Sequence, residues 1–279
     1  MKKVAVINDI SGFGKCSLVA DIVVLSTLGI QACPLPTGVY TAQTGFKNYH
    51  YKSNTDMIDS FTESWSDMNI SFDGIITGFL IDPLQGKKLL SFVRRFHEKD
   101  TLLLVDPVMG DGGQTYVNYS GELHETIFEL AKEADILTPN VTELFLLTGE
   151  DISTVLELDP ETLKEKIESL SKKLLNRPNK TIIVTGIKLT DGSGNPLLGN
   201  MVVTKDCSKL YTVSSGGGDF SGTGDLFAAA VLGQILNGKT AFEATKRTAE
   251  FIRASVADAH RSGTDPKFGT EFEMHLNML

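Results

Sequence analysis

Short apolar runs alternate with longer stretches of helical period along most of this chain, and that rhythm leaves few architectures open. Val4 to Asn8, Gln31 to Leu35, Gly74 to Thr77, Leu102 to Asp106, Ile136 to Thr138 and Thr181 to Thr185 read as strands. Leu18 to Leu28, Thr55 to Met68, Gln85 to His97, Glu122 to Glu133 and Glu161 to Leu175 carry helical period between them. Several of the strands are apolar at successive residues rather than at every second one, as parallel strands buried on both faces require. Strands and helices in this order predict right-handed crossovers and an α/β fold, a three-layer α/β/α sandwich around a mostly parallel sheet.

Two segments depart from the alternation. Residues 36–51 are rich in Thr, Gly and aromatics without helical period, and read as irregular or short β structure projecting from the sheet as a flap. Met201 to Lys205 and Lys209 to Val213 read as an antiparallel ribbon turning at Asp206-Cys207-Ser208. No low-complexity linker or internal repeat divides the 279 residues, so residues 1–279 are expected to form a single domain.

Composition excludes several classes of function. The apolar run after Met1-Lys2-Lys3 stops at Asn8-Asp9, too short for a signal peptide, and no stretch approaches the length of a membrane span. The three cysteines, Cys16, Cys33 and Cys207, show neither C-x-x-C spacing nor a histidine cluster beside them. That pattern argues against disulfides and structural zinc, and fits a reducing cytoplasm. A net charge of −9 without a Lys/Arg block argues against nucleic acid as a partner. A polyanionic ligand would need local backbone donors and a cation rather than a basic surface.

Ligands of open α/β sheets bind beyond the carboxyl ends of the strands. Polar and glycine motifs gather at those ends here: Asn8-Asp9, Thr77-Gly78, Asp106, Thr138-Pro139-Asn140 and Thr185-Gly186. The sharpest is Phe220-Ser221-Gly222-Thr223-Gly224-Asp225, which leads into an apolar helix ending near Asn237-Gly238. Gly222 and Gly224 permit a tight turn with bare amides, and a helix N-terminus adds its dipole, which together make an anion site. Asp225, in the first helical turn, is placed to take the proton of an attacking hydroxyl. Taken alone, Gly-Thr-Gly-Asp also fits a plain turn with a capping carboxylate. Gly12-Phe13-Gly14-Lys15-Cys16 resembles a P-loop only superficially, because Asp9 and Cys16 stand where that motif requires Gly and Ser or Thr. The dinucleotide fingerprint fails as well, with Ser17 at the third glycine.

Asp106 and Asp111 place two carboxylates in one short loop, which is costly without a nearby cation such as Mg²⁺, although a solvated turn fits equally. Asn140 is a natural helix cap, and Glu143 would face back toward the phosphates as an outer metal ligand. Thr185, Gly186 and Ser214 either touch a nucleotide or terminate strands.

These motifs, in this order, resemble the ribokinase-like superfamily and, within it, the pyridoxal/pyridoxamine kinases. The matching stretches are Asp106-Pro-Val-Met-Gly-Asp111, Thr138-Pro-Asn-Val-Thr-Glu143 followed by Leu146-Leu-Thr-Gly149, and Gly222-Thr-Gly-Asp-Leu-Phe227. Asn8-Asp-Ile-Ser-Gly-Phe-Gly-Lys-Cys-Ser17 and Cys33-Pro-Leu-Pro-Thr37 are similar to a bacterial branch of the vitamin B6 kinases. The resemblance implies ATP-dependent phosphorylation of the 5′-hydroxymethyl group of pyridoxal, pyridoxine or pyridoxamine, with Asp225 as base. Gly222, Thr223 and Gly224 would supply the anion hole. Asp106, Asp111, Thr138, Asn140 and Glu143 would surround ATP phosphates and cations, with Asp106, Asp111 and Glu143 nearest the metal. Thr185, Gly186 and Ser214 would approach the nucleotide. On the substrate side it implies Thr44 against the ring, Tyr40 stacked on it, and Asp9 or Ser11 beneath it. It further implies ATP with Mg²⁺, help from K⁺ or Na⁺, and a homodimer. This chain departs from the family at Gln43, where histidine is usual, and at Phe79-Leu80-Ile81-Asp82, where Gly-Ser is common after the glycine. The rival readings are a hydroxymethylpyrimidine kinase, which commonly carries cysteine where this chain has Asp225, and a non-catalytic vitamer-binding protein.

Overall fold

The computed structural model describes residues 1–156 and 158–279. In chain order its principal elements are β1 (Lys3–Ser11), α1 (Ser17–Thr27), β2 (Gln31–Tyr40), β3 (Tyr51–Ser53), α2 (Met57–Asp67), β4 (Gly74–Thr77), α3 (Pro83–Phe96) and β5 (Leu102–Val105). They continue with β6 (Gly110–Asp111), β7 (Gln114–Thr115), α4 (Gly121–Glu133), β8 (Ile136–Leu137), α5 (Val141–Thr148), α6 (Pro160–Lys173) and β9 (Thr181–Thr190). The last are β10 (Pro196–Val203), β11 (Ser208–Ser214), α7 (Thr223–Leu236) and α8 (Ala241–Arg261). One nine-stranded sheet runs in the order β11-β10-β9-β8-β5-β4-β1-β2-β3. The six strands from β9 to β2 are mutually parallel, while β10, β11 and β3 are antiparallel additions at the two edges.

Successive strand residues feed opposite cores. Ala5, Ile7, Ile75, Leu103, Val105, Ile182 and Val184 join the α2–α6 side. Val4, Val6, Ile76, Leu104 and Ile183 pack with α1, α7 and α8 on the other. That two-sided burial explains the continuous apolar runs and produces the three-layer α/β/α sandwich. Sequence-local caps set the helix starts: Asp82, Ser120 and Asp159 each accept a backbone N–H of the following turn.

The structure corrects three readings of the sequence. Residues 36–40 do not project from the sheet, because β2 runs on to Tyr40 and pairs with β3 over Gly38–Tyr40. Pro34 and Pro36 are accommodated because β2 has no outer partner strand over residues 31–37. The flap is therefore the shorter connection 41–50. The ribbon starts earlier, at Pro196, and turns through 204–207, with the Thr204 N–H donating to Cys207 O at 2.9 Å. Finally, α8 adds 21 helical residues that periodicity alone had left unassigned, opened by a Thr240–Glu243 capping box.

On the α2–α3 side Phe92 is fully buried, with its ring 4.7 Å from Phe96 and 5.8 Å from Trp65. Phe92→Ala should cost about 3–5 kcal/mol of stability through the cavity it leaves. Trp65 is the chain's one tryptophan, so its emission in a urea titration measures the effect directly. A midpoint matching the parent protein would contradict this packing.

Candidate active site

The sheet order changes direction at β1, which lies between β2 and β4, and the polar strand ends gather around that switch point. Asn8, Asp9 and Ser11 come from β1, Gly78 follows β4, Asp106 follows β5, and Thr138 follows β8. Facing them, α7 begins at the glycine turn. Gly222 has φ 83°, and a Cβ there would lie 2.1 Å from the Lys15 carbonyl oxygen, so only glycine fits both the conformation and the space. The Thr223 hydroxyl donates to Phe220 O at 3.1 Å and closes the turn. Among the described residues no side chain caps α7, so its leading amides have no capping partner.

Asp225 sits in the first turn of α7 and keeps part of its surface open to the cleft. Its Oδ1 accepts from Asn8 Nδ2 at 2.9 Å, and its Oδ2 accepts from the Ser17 N–H at the start of α1 at 2.8 Å. Desolvation pushes the carboxyl up to about 6, against the lowering effect of the Ser17 and Asn8 bonds, and the Asp9 charge adds to the rise. At neutral pH the group is ionised yet more basic than an ordinary aspartate, which suits a general base.

Asp106 is the neighbouring carboxylate. A Cβ at Gly224 would lie 3.7 Å from its Oδ2, and Thr138 Oγ1 donates to its Oδ1 at 3.4 Å. Burial and then the Asp225 charge push Asp106 up to about 8. Glu143 is also raised, by burial and then Asp106. Both Glu143 oxygens are already engaged, one by the Met109 N–H at 3.1 Å and one by the Asn140 N–H at 2.9 Å. With Asn140 Oδ1 accepting the Glu143 N–H, the two form a capping box, and Asn140 Nδ2 donates to Gly110 O at 2.8 Å. Glu143 thus braces the Asp106 loop, with one hydrogen bond on each carboxylate oxygen. Asp111 is exposed on the β6–β7 hairpin.

Among the described residues no group of three or more His, Cys, Asp or Glu is arranged to chelate a metal alone. The donor set nevertheless fits Mg²⁺, which binds through one or two carboxylates, water and substrate phosphates. Asp106, Asp111 and, behind them, Glu143 are the carboxylates that would hold it.

Thr185 bridges to Asn140, and Gly186 turns with φ 71°, so both adjoin the Asn140 cap of α5. Ser214 is exposed at the end of β11. At the end of β1 Ser11 Oγ donates to Asp9 Oδ2 at 2.9 Å, both residues being buried, so the two alternatives from the sequence form one unit. Burial pushes Asp9 up, against the Ser17 and Ser11 hydroxyls. Tyr51 stacks on one face of the Tyr40 ring at a centroid distance of 4.9 Å. Thr44 is exposed, whereas Gln43 beside it is buried and donates to Lys267 O at 3.1 Å. That bond ties the flap to the segment after α8, which also accepts the N–H groups of Lys15 and Ser221. Phe13, Phe46 and Phe268 close over the same junction, with centroids 5.2–5.9 Å apart.

Sequence reading missed Asn8 as a contact of Asp225, and missed Asp21 altogether. Asp21 is a buried carboxylate on the apolar stripe of α1, which was itself a visible signal.

The phosphomethylpyrimidine kinase family model matches residues 13–268, and the chain belongs to that family. A Bacteroides thetaiotaomicron structure carried under the phosphomethylpyrimidine kinase name superposes with a TM-score of 0.91 at 28% identity, covering 99% of this chain and 93% of that one. A second crystal form of it, with pyridoxal, gives a TM-score of 0.89 at 28% identity, over 99% of this chain and 95% of that one. The pyridoxal kinase PdxY of Histophilus somni is 26% identical over 68% of this chain and 65% of its own length. Bovine pyridoxal kinase is 25% identical over 75% of this chain and 69% of its own. The chain thus spans just under two thirds of the Histophilus relative it matches. The fold shared with these structures is the ribokinase-like one, and the family is one of kinases.

A carboxyl raised on folding contributes stability that is fully present below its unfolded value and lost as pH rises through its folded one. Asp225 and Asp106 therefore weaken the free fold progressively between about pH 4 and 8. Asp106→Asn should raise the melting midpoint at pH 8 by about 2–4 °C, for relief on the order of 1 kcal/mol, and change nothing at pH 4. Calorimetry at the two pH values measures this; an equal shift at both would contradict the electrostatic account.

Proposed function

We propose that this protein transfers the γ-phosphoryl group of ATP to the 5′-hydroxymethyl group of a vitamin B6 vitamer: pyridoxal, pyridoxine or pyridoxamine. The observation that carries the reading is the Asp225 carboxylate held beside the uncapped amides of α7, at the switch point of the sheet. The family membership, the pyridoxal-containing Bacteroides structure and the pyridoxal kinase relatives support the vitamer as acceptor.

The chemistry follows from positions. Asp9 and Ser11 form the floor on which the ring lies, and the flap 41–50 excludes water from above. Asp225 takes the proton of the 5′-hydroxyl as that oxygen forms its bond to the γ-phosphorus, and the bond to the β-bridging oxygen breaks to release ADP. The amides of Gly222, Thr223 and Gly224, with the dipole of α7, bind the equatorial oxygens as charge spreads over them. Asp106, Asp111, Thr138 and Asn140 lie on the phosphate side, with Thr185, Gly186 and Ser214 toward the rest of the nucleotide. Mg²⁺, assisted by K⁺ or Na⁺, would be held at Asp106 and Asp111 and would neutralise phosphate charge when bound. The reading includes a homodimer and a cytoplasmic location, the latter in keeping with three free cysteines.

The family model is described as a phosphomethylpyrimidine kinase, so ADP release should be compared between hydroxymethylpyrimidine and all three vitamers. A vitamer should be turned over with the highest kcat/KM. Asp225→Asn should then lower kcat by about 10²–10⁴ with the ATP KM little changed. Near-normal turnover of that variant would remove Asp225 from the chemistry.

A further inference from the structure

Asn8 is 3% exposed and makes every hydrogen bond that an amide side chain can make. Its Oδ1 accepts from the backbone N–H groups of Asp9 and Phe79, each at 3.0 Å. Two donors on the oxygen fix the orientation of the amide, so Nδ2 must point the other way. There it donates to Asp225 Oδ1 at 2.9 Å and to Asp21 Oδ2 at 3.0 Å. Gly78 makes room for it, since a Cβ at that position would lie 2.6 Å from Nδ2. Asp21 is 1% exposed, and its Oδ1 has no partner among the described residues. Burial, followed by the Asp225 charge, drives Asp21 well above the usual carboxylate range.

Resting on the phosphoryl-transfer reading above, we infer that Asn8 is a positioning residue for this reaction, a neutral double donor that aims the Asp225 carboxylate at the acceptor hydroxyl. The alternative, that Asn8 merely ties β1 to α1 and to the loop after β4, does not account for the choice of side chain. Aspartate in its place would keep the Oδ1 acceptor but add a further negative charge beside Asp225, Asp21 and Asp9. Lysine would donate, yet its charge would pin the base in an ion pair and lower its basicity. Only a neutral amide both holds Asp225 and leaves it able to accept a proton. Together with the Ser17 N–H it occupies one site on each carboxylate oxygen, so the remaining lone pairs face the cleft.

The test compares Asn8→Ala and Asn8→Asp with the parent protein, measuring ADP release with whichever acceptor the parent turns over best. Asn8→Asp is nearly isosteric and keeps the contacts to Asp9 and Phe79, so it removes the donor without emptying the site. Both variants should lower kcat by about 10- to 100-fold, the scale of a misplaced catalytic group, with the ATP KM within about threefold of the parent. Trp65 emission reports whether each variant is folded. In an Asp225→Asn background, Asn8→Ala should cost little further, because residues that act through one another are not additive. Retained kcat in Asn8→Asp, or full additivity with Asp225→Asn, would overturn the inference. A parent protein that prefers an acceptor other than a vitamer would sink the proposed substrate while leaving this comparison intact.

Discussion

A carboxylate confined between two helix N-termini is the constraint around which this molecule is arranged. Asp225 belongs to the first turn of α7 and accepts the leading N–H of α1, so both dipoles stabilise its charge while desolvation opposes it. The balance leaves the group basic but ionised near neutrality. Around it stand Asp9, Asp21 and Asp106, each raised above its ordinary value chiefly by burial. Such crowding costs stability in the free protein and is relieved by whatever positive charge arrives with the substrate. The fold tolerates it because two large cores flank the sheet.

The rest of the architecture serves to bring short polar segments to that point. Parallel strands deliver their carboxyl ends to one edge, and the strand order reverses at β1, the kind of switch point at which open α/β sheets bind ligands. The segment following α8 then binds three site elements through main-chain oxygens: the loop before α1, the glycine turn and, by way of Gln43, the flap. The position of the flap is consequently linked to the geometry of the glycine turn. Gln43 departs from the family's usual histidine at the residue that makes this link.

Much of this was legible in the sequence because the signals were local. Apolar runs gave the parallel strands, and Gly222 and Gly224 before an apolar helix gave the turn that opens α7. What escaped depended on contacts between distant residues. Nothing near Tyr40 in the chain shows that Tyr51 would cover its ring, since that stack follows from β2–β3 pairing. The Glu143 carboxylate reaches the Met109 N–H across 34 residues of chain. Asn8 and Asp225 are 217 residues apart, a separation that no motif spans. In α8 the Thr240–Glu243 box was visible, but its small and polar residues masked the helical period.

The central claim is geometric: the amides opening α7 bind a migrating phosphoryl group, and the Asp225 carboxylate holds the hydroxyl that receives it. A crystal structure with Mg²⁺, ADP, a planar metal-fluoride mimic of that group and pyridoxal measures this directly. The account predicts the mimic within hydrogen-bonding distance of the Thr223 and Gly224 amides, and the pyridoxal 5′-oxygen beside Asp225. A mimic bound away from the glycine turn, or a 5′-oxygen out of reach of that carboxylate, would contradict it.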